Sequence, residues 1–266
     1  MSKQNKKPKF DLNYPTSAVS VNISQNIRRP IPQVQPHDCQ NQAIGLICGG
    51  PTLQSFKEEI LDRHADGMRF VTLNGSHDWM LDNGMRPSAH VMVDSRPGNA
   101  RFIKRWHEKT KYLIASQCHP KVFDTLKDAK VYIWHACLNS VDRAALDEHY
   151  LGRYFTTLGG STVTLRALSL LRMLGFMKIE VWGFDSCLMD GKHHSYDMPE
   201  NDGERHATVR VGDKEFLCEP WMFSQAEEFQ GLAKALGDEL EMLVHGDGLI
   251  AHMIKTGASV EKLQEN

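Results

Sequence analysis

The 266-residue chain is predicted to fold as an α/β domain, a mostly parallel sheet flanked by helices. The first observation is a series of short apolar runs that are continuous rather than alternating, as in strands buried on both faces. The second is that amphipathic stretches at 55–64, 100–109 and 162–175 lie between some of these runs. Strands that alternate with helices indicate a parallel sheet. The predicted strands cover residues 43–48, 70–73, 90–93, 112–115, 131–134 and 179–182.

The remaining segments are predicted from the positions of their proline, glycine and polar residues. Residues 1–41 are polar and rich in proline, which indicates an extended arm, partly disordered or lying on the surface. The main domain is predicted over 42–256, followed by a short tail at 257–266. Within that domain, residues 186–222 are predicted to form a loop and β-hairpin insertion with its turn at Gly212-Asp213. A helix at 223–236, a strand at 240–244 and a terminal helix follow.

Composition excludes several classes of protein. The net charge is −2, which gives no reason to expect a nucleic-acid interface, since that would need a basic face or stripe. No apolar run approaches the roughly 18 residues that a membrane span needs. The N-terminus lacks the apolar segment of a signal peptide, so we expect a cytoplasmic protein. The cysteines are widely spaced and form no C-x-x-C pair, which predicts reduced thiols rather than a zinc site.

Small, polar and acidic residues follow the predicted strands at their carboxyl ends. Gly49-Gly50-Pro51-Thr52 follows the first strand, Asn74 the second, Asp94 the third and Asp185 the strand at 179–182. Ligands of open α/β sheets bind at this edge, near the point where the strand order reverses. The sequence therefore predicts a ligand site there.

Two glycine turns have the chemistry of an anion site. Gly49 and Gly50 allow close backbone approach, so that their N–H groups can face an anion. Gly160-Ser161-Thr162 precedes a helix, whose N-terminus favours phosphate. Tight turns with a Ser/Thr cap are the alternative interpretation. The residues match neither the G-x-G-x-x-G nor the Walker pattern.

The side chains suggest further roles. Asp94 and Asp185 could hold Mg²⁺ or accept hydrogen bonds from a ribose or base, with turn capping as the alternative. Asn74 could bind a base or sugar edge. His193 and His194 would point to opposite sides of an extended chain, so at most one faces the site, as a general base or phosphate contact. His194 is the candidate retained.

These turns, in this order, resemble the MptE-like family, named for 6-hydroxymethylpterin diphosphokinase. The resemblance covers about residues 43–255. It implies a Rossmann-like domain that binds a nucleotide at the Gly-Gly-Pro turn and transfers pyrophosphate from ATP to a pterin alcohol with Mg²⁺. The matching pieces are residues 47–53, Asn74, 87–94, Gly160-Ser161, 167–175, 179–185, 193–196, 201–203, 220–222, 225–226 and 245–249.

A wider similarity runs to bacterial sialyltransferases and flagellin glycosylation factors. There the corresponding turn holds a CMP-sugar, and a catalytic histidine lies beyond the strand-end aspartate. That histidine cannot be aligned from the sequence, and Trp221 stands near its expected position.

Three hypotheses follow. The first is a diphosphokinase-like transferase in which the glycine turns hold the phosphates of ATP and Asp94 and Asp185 hold Mg²⁺. The second is a glycosyltransferase that uses a CMP-activated acidic sugar and His194 as base. The third is a nucleotide-binding module without turnover. The expected partners are a nucleotide and a small-molecule or sugar acceptor.

Overall fold

The computed structural model describes residues 15–136, 139–196, 205–237 and 239–265. Parts of the predicted arm (1–14) and of the predicted insertion (197–204) therefore lie outside the described residues. Within them, the main sheet has eight strands in the order β10-β7-β1-β2-β3-β4-β5-β6, and every pairing is parallel. These strands are β1 (Ile44–Ile47), β2 (Arg69–Leu73), β3 (Ala89–Met92), β4 (Lys111–Ala115), β5 (Lys130–Ala136), β6 (Thr156–Thr157), β7 (Lys178–Trp182) and β10 (Glu241–Val244).

Helices cover the sheet, as the apolar runs predicted. Strands β1 and β3 are buried along their whole length, because neighbouring elements pack on both faces. The predicted α/β, Rossmann-like fold is confirmed. The α-helices are α1 (Thr16–Asn26), α2 (Lys57–Ala65), α3 (Ser76–Asp82), α4 (Pro120–Thr125), α5 (Ser140–Tyr150), α6 (Val163–Met173), α7 (Pro220–Leu236) and α8 (Leu249–Thr256).

A second, antiparallel sheet lies near the C-terminal end, in the order β11-β8-β9. Strands β8 (Ala207–Val211) and β9 (Lys214–Cys218) form the predicted hairpin, and Gly212 adopts φ 58° in its turn. Strand β11 (Val260–Glu265) pairs with β8. The residues predicted as a C-terminal tail therefore complete this sheet.

The N-terminal segment differs from the predicted extended arm. Residues 16–26 form helix α1, which begins after Pro15 and buries Asn22, Ile23 and Asn26. The Asn22 amide donates to the carbonyls of Ser95 and Gln117 at 3.0 and 3.1 Å. The buried contacts of α1 are partly amide hydrogen bonds, and hydrophobic periodicity cannot reveal these.

A second difference concerns residues 100–109, which were expected to be helical. A short 3₁₀ helix, Pro97–Phe102, occupies part of this stretch. Its proline stands at the start, where the missing N–H costs no hydrogen bond. Among the described residues, every helix is too short or too polar to cross a lipid bilayer.

Candidate functional site

The strand order reverses at β1, which has β2 on one side and β7 on the other. The loops that leave the carboxyl ends of β1 and β7 lie there, at the position where open α/β sheets bind their ligands. A pocket of about 410 Å³ opens at this point. This volume falls in the usual range for small-molecule sites.

Most of the predicted site residues line this pocket. They come from five separate loops and the start of α6, although the chemical role of each stays a prediction. The lining members are Gly49, Gly50, Pro51, Asn74, Asp94, Ser161, Thr162, Asp185 and His194. Thr52 and Gly160 lie outside the lining. Gly160 adopts φ 146°, and a Cβ there would approach Leu165 Cβ to 2.5 Å, so this glycine shapes the turn before α6.

The Gly49-Gly50 turn is only partly available to a ligand. The Gly50 N–H donates to the Gly183 carbonyl at 2.8 Å, which ties the end of β1 to the end of β7. This corrects the expectation that Gly50 points its N–H at an anion. The Gly49 N–H makes no hydrogen bond to a described residue. Of the two glycines, Gly49 is therefore the one whose N–H is available to a ligand.

The Asp185 side chain is hydrogen-bonded to Thr52, just after the same turn. Its Oδ2 accepts from the Thr52 N–H at 3.0 Å, and its Oδ1 accepts from the Thr52 hydroxyl at 2.7 Å. The side chain is buried, and burial raises the pKa of Asp185, while the two bonds from Thr52 oppose that rise. Asp247 adds to the rise through its charge. Thr52 thus acts on the pocket through Asp185 rather than by lining it.

Both carboxylate oxygens of Asp94 are hydrogen-bonded to Arg96. Its Oδ1 accepts from the Arg96 backbone N–H and from Nε, both at 2.9 Å, and its Oδ2 accepts from Nε at 3.1 Å and from Nη2. Both carboxylates predicted to hold Mg²⁺ therefore have protein partners on both oxygens. Within the described ranges, no group of three His, Cys, Asp or Glu side chains is placed to hold a metal. This donor set does not fit a magnesium ion held by the protein alone.

The N-terminus of α6 forms another wall. The Thr162 hydroxyl caps the Leu165 N–H at 3.5 Å and accepts from the Gln225 amide at 2.7 Å. Gln225 also accepts from the Ser186 hydroxyl at 3.0 Å and is buried, so it joins α6, α7 and the loop after β7. The Ser161 N–H already donates to Glu228 at 2.6 Å. The positive end of the helix dipole nevertheless faces the pocket through Thr162, Val163 and Thr164.

His194 lies beside the Gly49 turn. Its ring stacks on Trp221, with centroids 5.9 Å apart and planes at 22°, and its Nδ1 is 2.9 Å from His193 Nδ1. The Trp221 Nε1–H donates to the buried Glu219 carboxylate at 2.6 Å. Glu219 thus orients the indole, and the indole orients the imidazole. The structure brings together His194 and Trp221, which sequence reasoning could not connect.

Two side-chain amides leave acceptors without partners at the pocket. Asn74 Oδ1 and Gln117 Oε1 are buried and make no hydrogen bond to a described residue. Asn74 adopts φ 47°, a left-handed conformation that asparagine tolerates and that directs its side chain from the end of β2. Buried acceptors of this kind cost free energy unless a ligand donor satisfies them.

Sequence reasoning missed Tyr196, Gln117, Ser95 and Gln225 as pocket residues. Tyr196 closes the pocket over both Gly49 and Gly75: a Cβ on Gly75 would lie 2.5 Å from Tyr196 Cε2. The signal that could have found Ser95 and Gln117 is their position directly after β3 and β4, the same rule that found Asp94. Tyr196 and Gln225 carry no such signal.

Comparisons with known proteins agree with this architecture. The family model described as 6-hydroxymethylpterin diphosphokinase MptE-like matches residues 17–191. The match begins within α1, in the segment predicted as an arm. No curated protein sequence matches the chain significantly.

A solved glycosyltransferase structure resembles the chain in fold. The MAf glycosyltransferase from Magnetospirillum magneticum AMB-1 superposes with a TM-score of 0.64 at 12% identity, covering 95% of this chain and 43% of that protein. The present chain thus corresponds to less than half the length of that glycosyltransferase. A mammalian sialyltransferase, solved in complex with Gal-beta-1-3GalNAc-ortho-nitrophenol, gives a TM-score of 0.43 at 9% identity over 91% of this chain and 82% of its own.

Proposed function

The chain belongs to the MptE-like family, and from this premise we propose that it is a nucleotide-dependent transferase acting in the pocket between β1 and β7. The family is named for a transferase, and the first of the solved structures is one as well. The pocket supports the proposal because a backbone N–H, a helix N-terminus and two unsatisfied amide acceptors converge there.

We propose that the nucleotide binds between Asn74, the Gly49 turn and the start of α6, because these groups have the chemistry to hold it. Asn74 Oδ1 is an acceptor suited to an amino group of the base or to a ribose hydroxyl. The Gly49 N–H and the first turn of α6 supply the positive partial charge that a phosphate requires. Asp185 stays bound to Thr52 and holds the loops after β1 and β7 together.

His194 is proposed as the general base. The observation that carries the reaction type is the 2.9 Å contact between the Nδ1 atoms of His193 and His194. One Nδ1 of the His193–His194 pair must carry the shared proton. When His194 donates, the basic lone pair lies on its Nε2. An acceptor hydroxyl then loses its proton to Nε2 while its oxygen attacks the anomeric carbon of a nucleotide sugar. The bond from that carbon to the phosphate oxygen breaks, and the nucleotide leaves.

Sugar transfer from a CMP-activated acidic sugar is therefore the function we favour. It needs a positioned base and no metal held by the protein, which accords with the engagement of Asp94 by Arg96 and of Asp185 by Thr52. Diphosphokinase-type transfer from ATP is the second candidate, and the family match over residues 17–191 favours it. In that case the oxygens of the nucleotide would have to supply most of the ligands of Mg²⁺.

Nucleotide binding is tested by thermal melting with CMP, CTP and ATP, each with and without Mg²⁺. A ligand at 100 times its Kd stabilises the native state by about 2.7 kcal/mol, which is an easily measured shift. We expect CMP to stabilise the protein without metal. The Asn74→Gly variant keeps the left-handed backbone, removes the amide, and should lose most of the shift. A shift confined to ATP with Mg²⁺ would favour the diphosphokinase, and no shift with any nucleotide would contradict both enzymes.

The base is tested by turnover with a CMP-sugar donor and a panel of sugar acceptors. His194→Ala should lower kcat by about 10²–10⁴-fold, the usual contribution of a general base. The matched control is His149→Ala, since His149 is an exposed histidine on α5 away from the pocket. Turnover of His194→Ala at the wild-type rate would show that another group takes the proton.

A further inference from the structure

A second cavity, of about 630 Å³, lies at the opposite edge of the main sheet. It is lined by the first residues of β1, β2, β3 and β4, by the segment 33–40 and by the end of α6. Strand β2 runs from this cavity to the candidate site, and its five residues put the two about 15 Å apart. We call this space the basal cavity. It shares no lining residue with the candidate site.

Four cationic side chains contribute to the lining of the basal cavity: Arg69, Arg86, Lys109 and Lys111. The salt bridges that Lys and Arg form among the described residues all involve other side chains. Four positive charges thus share one concave region, and no carboxylate of the described residues pairs with them. Such a group repels itself unless an anion or solvent compensates it.

Arg69 is the most informative of the four. Its guanidinium lies over the Phe176 ring, 5.3 Å from the centroid, and one Nη donates to Gln40 Oε1 at 3.4 Å. Its Nε is buried and has no partner among the described residues. A buried guanidinium N–H without an acceptor is costly, because charged groups lose the most on desolvation. Arg69 therefore has a hydrogen-bonding group that the described residues leave unsatisfied.

The rest of the lining is largely apolar. Val34, Ile44, Leu113, Leu174 and Phe176 contribute to it. An inorganic ion would leave this surface in contact with water, whereas an apolar group would cover it. The charge and the apolar walls together define the ligand class.

We propose that the basal cavity is a second ligand site, which binds a small organic anion with a phosphate or carboxylate head and an apolar body. The head lies among Arg69, Arg86, Lys109 and Lys111, and the body lies against the apolar wall. The proposal stands independently of the reaction in the candidate site.

The probe is 1-naphthyl phosphate, titrated calorimetrically into the protein with saturating CMP present. Inorganic phosphate and 1-naphthalenemethanol serve as the head-only and body-only arms. We expect 1-naphthyl phosphate to bind more tightly than either. Equal affinity for inorganic phosphate would overturn the apolar half of the proposal, and equal affinity for the alcohol would overturn the anionic half.

The location is tested with Arg69→Met and Lys111→Met, which keep an unbranched apolar stem and remove one charge. Each should weaken 1-naphthyl phosphate about tenfold or more, as expected for losing one charged hydrogen bond. The matched control, Lys127→Met, removes an exposed lysine outside the cavity and should bind as wild type does. An unchanged melting temperature of Lys111→Met verifies folding. Wild-type affinity in both cavity variants, or no binding to the wild type, would overturn the proposal.

Discussion

Replacing Gly49 by alanine should damage catalysis far more than stability. The added Cβ would overlap the Tyr196 hydroxyl and would lie 2.9 Å from Tyr196 Cζ and 3.2 Å from His194 Cδ2, whereas ordinary contact begins at 3.4 Å. The Tyr196 ring must therefore retreat by about 1 Å, and His194 must give way by a few tenths of an ångström. A misplacement of 1 Å can cost 10²-fold in rate, so we expect kcat to fall about tenfold. The obstructing atoms are side chains of one loop, which can shift without unfolding the domain.

The neighbouring Gly50→Ala variant should show the opposite pattern. Its Cβ would lie 2.5 Å from the Gly183 carbonyl oxygen and 3.0 Å from Asp185 Cγ. Relief requires the ends of β1 and β7 to part, which breaks the Gly50–Gly183 hydrogen bond and strains the Asp185–Thr52 contacts. Losing that bond and exposing a buried acceptor should cost about 2–4 kcal/mol of unfolding free energy.

Both variants are compared by urea unfolding and by kcat under the same conditions. Gly98→Ala is the matched control, because no atom of the described residues lies within 4 Å of the Cβ it would add. It should keep wild-type rate and gain at most about 1 kcal/mol. The reasoning is refuted if Gly50→Ala unfolds at the wild-type urea concentration, or if Gly49→Ala retains full kcat.

Three further variants test the surrounding contacts. Thr52→Val removes the 2.7 Å hydrogen bond to Asp185 and should cost about 1–3 kcal/mol of unfolding free energy at pH 7. Because this change raises the pKa of Asp185 further, the loss of unfolding free energy should be smaller at pH 5. An equal loss at pH 5 and pH 7 would contradict this reasoning. Gln225→Leu breaks the bond to Thr162 and should raise KM for the nucleotide, since the start of α6 loses its orientation; unchanged KM would show that Gln225 does not position the site. Burial lowers the pKa of His135 to about 4, below the ordinary value near 6.5. The contribution of His135 to the free energy of unfolding is therefore complete above pH 6.5 and is lost as the pH falls towards 4. In urea unfolding, His135→Gln should lose less free energy of unfolding between pH 6.5 and 4 than the wild type does, and equal losses would refute the assignment.

Much of the architecture was predictable because its causes are local. A strand buried on both faces must be apolar at successive residues, so β1 to β5 and β7 appear directly in the sequence. Parallel strands place their carboxyl ends at one edge, so the convergence of Gly49, Asn74, Asp94 and Asp185 followed from their positions after strands.

The N-terminal segment shows where local reasoning fails. Helix α1 is held partly by the amides of Asn22 and Asn26, which donate to carbonyls in the loops after β3 and β4. In sequence these residues are polar and close to prolines, which is typical of an arm. Only the fold brings their partners, more than 70 positions away, within hydrogen-bonding distance.

Tertiary structure alone decided which groups of the site are available to a ligand. Gly50 and Asp185 have the residue types of a phosphate and metal site, yet Gly183 and Thr52 hold them. His194 gained its orientation from Trp221, which lies 27 positions later on another element. Sequence determines which residues stand at the edge of the sheet, because strand patterns are local. It does not determine their hydrogen-bond partners, because these are set by packing between segments far apart in the chain.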